Sequence, residues 1–388
     1  MKKLFRNIVM LAAAVSLIAC GSTNAEAEPE VGIDSGPAEI TVEARRIGML
    51  PDAGGVNDRS FNQGTWEGVL RFYNDHEGLI EEPTHILPAQ TATADMVVAG
   101  EQLILAGKEM IVMSGFTFQG AVEEMQVNHP EVKFVIIDAA PEEILDNTLA
   151  IFFAEQESGF LAGITAALES ETGQVGFIGG APIPPVQAFG RGFAMGVAYA
   201  NANLDTDVVV SRYVNQGGFA DAEAGRTLAG GIFDAGVDII FVAAGNVGNG
   251  AIAEALSRAG DDGDRVFIIG VDSDQFETGR IADWEYGESI ILTSAMKRVD
   301  QAAYDAIEEF VNGTFQGGRS ITLTAADGGV GLPDENPNLS AETLGKVDEV
   351  VERLKNGELQ LPTSLEEVMA FLEEHGLDAS TMEPGFSE

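Results

Sequence analysis

The stretch RRIGMLPDAGGVNDRSFNQGTWEGVLRFY, residues 45–73, joins a short apolar run to a loop crowded with glycine, asparagine and aspartate, and then to a helix-length amphipathic segment. That sequence of parts recurs along the chain. Strands are expected at RRIGML, THILP, EMIVMS, KFVIID, LAIFF, QVGFIG, DVVVSRY, DIIFVA, RVFIIG and SIILT. Between most of them lie segments such as TADMVVAGEQLILAG, FQGAVEEMQVNH and FADAEAGRTLAGGIFDAG, whose apolar residues recur at helical spacing. Strand alternating with helix implies parallel sheets covered on both faces. Ten strands strain a single sheet, and 388 residues exceed one ordinary core, so two lobes are expected. The change of lobe is placed at DAAPEEILDNT, residues 138–148, where proline and acids interrupt the rhythm. No residue-level repeat is visible between the halves.

In open parallel sheets ligands lie at the carboxyl ends of the strands, where helix N-termini and loop amides converge. The polar exits fall there: residues 52–68, SGFTF (114–118), DAA (138–140), GGAPIPP (179–185), AAGNVGNG (243–250) and VDSDQ (271–275). Two facing lobes that each present such an edge would close on a small molecule.

The chemistry of these exits favours binding over catalysis. GNVGNG at 245–250 is GxxGxG and lacks both the dinucleotide spacing and a P-loop lysine, so its glycines serve backbone approach or a helix start equally well. Asp272 and Asp274 form a D-x-D pair that a hard cation would accept, yet no further acids are spaced with it, and an acceptor role for Asp272 is the better reading. Asp58 and Asp138 carry the same ambiguity, and Asp58 also stands where a carboxylate caps a helix. The four histidines lie away from the exits and G-x-S-x-G is absent, so a serine triad has no base. Phe61 and Phe116 offer flat faces to a ring ligand, whereas Trp66 sits at helical spacing with Val69, Leu70 and Tyr73 and suits a core. Lys297 is a lone cation at a strand exit, either balancing a cleft carboxylate or solvated in a first helical turn.

Composition bounds the setting. The chain is 45% hydrophobic with 46 glycines, which suits a globular body, and its formal net charge is −41. Such a surface repels phosphate backbones and argues against nucleic acid as a partner. At the N-terminus MKKLFRN precedes the apolar IVMLAAAVSLIA and then Cys20 in LIACGS, the pattern of an export signal ending at a bacterial lipobox. Cys20 is the only cysteine, which leaves no internal disulfide, Cys-ligated zinc or cysteine nucleophile, and acylation is the chemistry left for it. The acidic, proline- and glycine-bearing segment that follows reads as a tether.

Together GGVNDRSFNQGTWEG, SGFTF, FVIIDAA, EQESGFLAGITAAL, VGFIGG with FGRGFAMGV, DIIFVAAGNVGNG, IIGVDSDQ and ILTSAMKRVDQAAYDAI resemble, in order from about residue 45 to about 362, the Bmp family. These basic membrane protein lipoproteins include purine nucleoside receptor lipoproteins and serve as substrate-binding components of ABC importers. The resemblance implies an α/β, type I periplasmic-binding-protein fold: two doubly wound parallel-sheet lobes, joined by a three-segment hinge, with a purine nucleoside held between them. Under it, Asn57, Asp58 and Phe61 match the first ligand loop, Ser114, Gly115 and Phe116 the second, and Asp138 the acid at the lobe edge. Gly245 matches the glycine exit of the other lobe, Asp272 the ribose-contacting acid and Lys297 its lysine partner. The expected organisation is a lipoprotein signal at 1–19, a tether at 20–44, and an N-terminal lobe of 45–145 with about 295–317. A C-terminal lobe of 146–294 with about 318–335 and a helical, acidic tail at 336–388 complete it. The implied protein is a monomer without cofactor or metal, lipid-anchored at the extracytoplasmic membrane face and partnered by ABC permease subunits. The segment SLEEVMAFLEEHGLDASTMEPGFSE, 364–388, extends past the usual family end as an extra acidic helix and tail.

Overall fold

The computed structural model describes residues 43–378 and Met382; the signal, most of the tether and Cys20 lie outside that range. Ten strands form where apolar runs were expected. They are β1 (Ile47–Pro51), β2 (Thr84–His85), β3 (Met110–Ser114), β4 (Lys133–Ile137), β5 (Thr148–Phe153), β6 (Gln174–Gly179), β7 (Val209–Asn215), β8 (Ile239–Ala243), β9 (Phe267–Asp272) and β10 (Ile291–Lys297). Two more, β11 (Arg319–Leu323) and β12 (Val330–Gly331), were not anticipated. The helices are α1 (Phe61–Asp75), α2 (Thr93–Leu105), α3 (Gln119–Asn128), α4 (Glu155–Glu169), α5 (Pro184–Asn203), α6 (Ala222–Asp234), α7 (Asn246–Ser257), α8 (Val299–Val311), α9 (Ala341–Lys355) and α10 (Leu365–Glu374).

The strands assemble into two sheets with one topology, β11-β5-β4-β3-β1-β2 and β12-β10-β9-β8-β6-β7. Every pairing of these strands is parallel except β10 with the short edge strand β12. Both faces of the inner strands are covered, which is why they read as continuous apolar runs. In β3, Met110 and Val112 join the core shared with α1 and α8, while Ile111 and Met113 face the core of α2 and α3. In β8, Ile239 and Phe241 face α4 and α5, and Ile240 and Val242 face α6 and α7. Glycines set how near the helices come. A Cβ at Gly163 of α4 would lie 2.1 Å from the Phe193 carbonyl oxygen of α5, and one at Gly196 of α5 would lie 2.1 Å from that of Phe160.

The sheets divide the chain differently from the expected boundaries. The 138–148 loop leads from β4 to β5 within the first sheet, so the chain leaves that sheet after Phe153 rather than at 146. Residues 295–297 end β10 in the second sheet, and β11, assigned to the second lobe within 318–335, pairs with β5 in the first. Proline and acids at 138–148 mark a loop within the first sheet, whereas the crossings after Phe153, Lys297 and Leu323 carry no proline. Beyond the sheets, α9 packs on α4 and α10 on α5. Helix α10 starts at Ser364, whose hydroxyl accepts from the Glu367 N–H, and buries Val368 and Leu372. The extra segment is therefore part of the folded second lobe as far as it is described.

Candidate functional site

The loop after β1 is organised by Asn62 in the first turn of α1. Its Nδ2 donates to Asp52 Oδ1 at 2.7 Å and Asp58 Oδ2 at 2.9 Å. Its Oδ1 accepts from the Asp52 N–H at 3.0 Å and from Ser114 Oγ at 2.7 Å. Asp58 accepts the backbone N–H groups of Ser60, Asn62 and Gln63 at 3.0, 3.1 and 3.0 Å. Its carboxylate thus caps α1, satisfying donors that the helix start would otherwise leave open. Burial pushes the Asp52 carboxyl up, against the hydrogen bond from Asn62.

The second lobe offers Asp272 at the end of β9 and Lys297 at the end of β10. Ser60 Oγ donates to Asp272 Oδ2 at 2.5 Å, joining one lobe to the other. Three further bonds cross the same gap: Asn249 Nδ2 to the Asp58 carbonyl at 3.0 Å, Gln275 Nε2 to the Arg59 carbonyl at 2.7 Å and Ser273 Oγ to the same carbonyl at 3.5 Å. The lobes are closed on one another. Lys297, 2% exposed, pairs with Asp138 and with Glu155 Oε1 at 2.8 Å, and its Nζ lies 5.1 Å from the Phe61 ring centroid and 5.2 Å from that of Phe153.

Burial decides the electrostatics of this cluster. It raises the Asp272 pKa to about 6, opposed by the charge of Lys297 and the Ser60 hydrogen bond. It raises Glu155 to about 7, again opposed by Lys297, and moves Asp138 upward as well. Lys297 is held above the ordinary lysine value because Asp138, Glu155 and Asp272 outweigh its own desolvation.

These groups wall a cavity between the lobes, with about 650 Å³ of atom-free space when its open mouth is included. Asp58, Phe61, Gly115, Phe116, Asp138, Gly245, Asp272 and Lys297 line it together. Ser114 does not: it is fully buried behind the loop and holds Asn62. Asn57 is exposed and outside the lining. The ion pairs of Lys297 go to Asp138, across the gap, and to Glu155, while the hydrogen bond of Asp272 goes to Ser60 and its charge acts on Lys297 from the neighbouring strand. Trp66 packs on the core as expected, edge-on to His85 at 4.9 Å.

Sequence reasoning missed Asp52, Ser60, Asn62, Phe189 and Phe219 of the lining, and Glu155 beside it. Asp52 and Asn62 were visible as polar residues in the opening stretch. Phe189 lies inside α5, where it is indistinguishable from core, and nothing in the chain marks Phe219. Gly115 and Gly245 follow β3 and β8, equivalent strands of the two sheets, and both have positive φ, 119° and 54°. No histidine lines the cavity, and no group of three or more metal-ligating side chains occurs among the described residues.

Two α/β lobes closed over a polar, aromatic-lined cavity at their strand ends define the class of two-lobed substrate-binding proteins. The sequence model of the Bmp family, described as ABC transporter substrate-binding protein PnrA-like, matches residues 45–364, and the chain belongs to that family. It is 34% identical to the CD4+ T-cell-stimulating antigen of Listeria innocua over 91% of this chain and 96% of that one. It is 29% identical to the ABC transporter nucleoside-binding protein BmpA of Lactococcus lactis, over 90% and 98% of the two chains. A crystal structure of an ABC transporter solute-binding protein from Aeropyrum pernix K1 superposes with a TM-score of 0.71 at 27% identity, covering 86% of this chain and 100% of that one. The protein is an ABC transporter substrate-binding protein of an extracytoplasmic, membrane-associated family. Among the described residues no helix is long and apolar enough to cross a membrane.

Proposed function

We propose that the protein is a lipid-anchored receptor, acylated at Cys20, that binds a purine nucleoside between its lobes and presents it unchanged to ABC permease subunits. The observation that carries this reading is the chemistry of the cavity wall. Phe61, Phe116, Phe189 and Phe219 supply ring faces, while Asp52, Asp138 and Asp272 supply acceptors with Lys297 as the lining cation. Aromatic faces suit a flat heterocycle, and carboxylates suit the hydroxyl and N–H donors of a sugar and base. The same carboxylates disfavour a phosphate, which selects a nucleoside over its nucleotide. The printed name of the Lactococcus lactis relative, nucleoside-binding, points the same way. Binding without reaction is supported by the engagement of these carboxylates with Lys297, Ser60 and the α1 amides.

Calorimetry with inosine, guanosine, adenosine, cytidine and inosine monophosphate tests the reading, with chromatography of the recovered ligand. One-to-one binding of the purine nucleosides, at least tenfold tighter than the others and with the ligand intact, is the expected result. Preference for the monophosphate, or release of free base, overturns it.

A further inference from the structure

Ser60 stands immediately ahead of α1, the position from which a serine side chain ordinarily caps its own helix. Its hydroxyl makes no such bond. The cap comes instead from Asp58, whose oxygens accept the N–H groups of Ser60, Asn62 and Gln63. The Ser60 hydroxyl is thereby released, and although the residue is only 1% exposed it donates to Asp272 Oδ2, a partner 212 positions away on the other lobe. That bond occupies one carboxylate oxygen and fixes the plane of the group. Oδ1 accepts from nothing among the described residues and is not shut off from solvent, so it is the oxygen that a guest in the cavity can reach.

Asp52 is held in a similar way, but from within one lobe. Its Oδ1 accepts from Asn62 Nδ2 at 2.7 Å and from the Gly54 N–H at 3.1 Å, and its Oδ2 is left at the cavity. Asn62 and Gly54 belong to the same loop and helix start as Asp52, so this acceptor is set whether the lobes are apart or together. Asp272 differs, because its orienting donor arrives from the opposite lobe and only on closure. Lys297 acts on Asp272 by charge from the neighbouring strand, and Asp138 and Asp58 repel it, so none of these fixes its plane.

We infer that Ser60 is a positioning residue for ligand discrimination: closure seats its hydroxyl on Asp272 and turns the open carboxylate oxygen toward a hydroxyl of the ligand, so that the sugar is read by the closed protein alone. The role rests on the nucleoside reading above and adds to it the means by which one acceptor is set.

Calorimetry of the full chain with inosine and 2′,3′-dideoxyinosine tests it, in the parent, Ser60→Ala and Ser60→Thr. The parent should bind inosine roughly tenfold or more tighter than the dideoxy compound, because a hydroxyl donating to a carboxylate is a strong bond. In Ser60→Ala that ratio should shrink about fivefold or more. Loss of the interlobe bond also weakens closure, but it does so for both ligands and cancels in the ratio. Ser60→Thr keeps the hydroxyl and should hold the ratio within about threefold of the parent. The Asp58 cap is untouched by either change, and circular dichroism confirms folding. Equal affinity of the parent for the two compounds, or a ratio in Ser60→Ala that is unchanged or wider, overturns the inference while leaving the nucleoside reading in place. A collapse in Ser60→Thr equal to that in Ser60→Ala also overturns it, since size rather than the hydroxyl would then carry the effect. A parent that binds neither compound brings down the nucleoside reading and this role together.

Discussion

Asp138 and Asp272 hold equivalent places in the two sheets, at the carboxyl ends of β4 and β9, and both adopt a left-handed backbone, with φ of 66° and 65°. Non-glycine residues rarely sit there, and the cost is of order 1–3 kcal/mol each. The strain recurs at the two positions whose carboxylates meet in one cavity, which ties it to the cleft rather than to either lobe's folding.

Asp272 therefore carries a measurable penalty. Its pKa is 3.8 ordinarily and about 6 in the folded protein because burial disfavours the charge. Between those values the folded state binds more protons than the unfolded, so its contribution to stability is present below pH 3.8 and is lost as pH rises to about 6. Asp272→Asn removes the loss. Ligand-free stability at pH 7 should rise by roughly 2 kcal/mol, from a shift of about two pH units discounted for its neighbours, and its slope between pH 4 and 6 should flatten. Ligand affinity should fall at least tenfold, because the amide accepts hydroxyl donors less strongly than a carboxylate. Urea unfolding across pH 4–8 with calorimetry checks both; a variant that is less stable at pH 7 refutes the account.

Lys297 is the counterweight. Lys297→Met leaves Asp138 and Glu155 buried without a cation, a loss of about 3–5 kcal/mol when both remain charged. Both carboxyls already sit above their ordinary range through burial, so they protonate on acidification and the penalty shrinks. Thermal unfolding should show the variant much less stable than the parent at pH 8 and close to it at pH 5. A deficit that does not change with pH would mean that the lysine acts through packing against Phe61 and Phe153.

Much of this was legible in the chain. Inner strands are apolar on both faces, so β1, β3 to β6 and β8 to β10 announce themselves, and the polar exits follow from them. β11 does not, because Arg319, Ser320 and Thr322 interrupt it and its register is set by β5, some 170 residues away. The lobe crossings were misplaced for a related reason. After Phe153 the chain enters α4 and after Lys297 it enters α8, and both steps keep the strand-then-helix pattern whichever lobe receives the helix. The sequence leaves two roles open for Asp58, and the structure gives its oxygens to the α1 amides. Glu155 escaped notice because its partner is 142 positions away, a distance only the fold closes.

The helix glycines separate close approach from propensity. A Cβ at Gly163 would press to 2.1 Å on the Phe193 carbonyl oxygen and 3.0 Å on Gly196 Cα, backbone that cannot yield without parting α4 from α5. Gly163→Ala should cost roughly 1–3 kcal/mol. Gly231 lies in α6, exposed, with nothing within 4 Å of a Cβ. Gly231→Ala should instead stabilise by about 0.5–1 kcal/mol through helix propensity. Denaturant midpoints of the pair should move in opposite directions, and movement in the same direction contradicts the assignment.

Closure rests on few bonds, and Gln275 makes one of them. Its Nε2 donates across the gap to the Arg59 carbonyl, which the left-handed backbone at Arg59 (φ 58°) holds in place, while its Oε1 accepts from the Val271 N–H at 3.1 Å. Gln275 does not line the cavity, so Gln275→Leu leaves the ligand's direct contacts intact. A net hydrogen bond of about 1 kcal/mol lost only from the closed state should weaken ligand binding roughly fivefold, since affinity scales with the population of the competent form. The effect should appear mainly as faster dissociation. Solution scattering should then show a larger radius of gyration for the ligand-free variant than for the parent, converging at saturating ligand. Equal affinity and equal radii would show that the Gln275 bond follows closure without contributing to it.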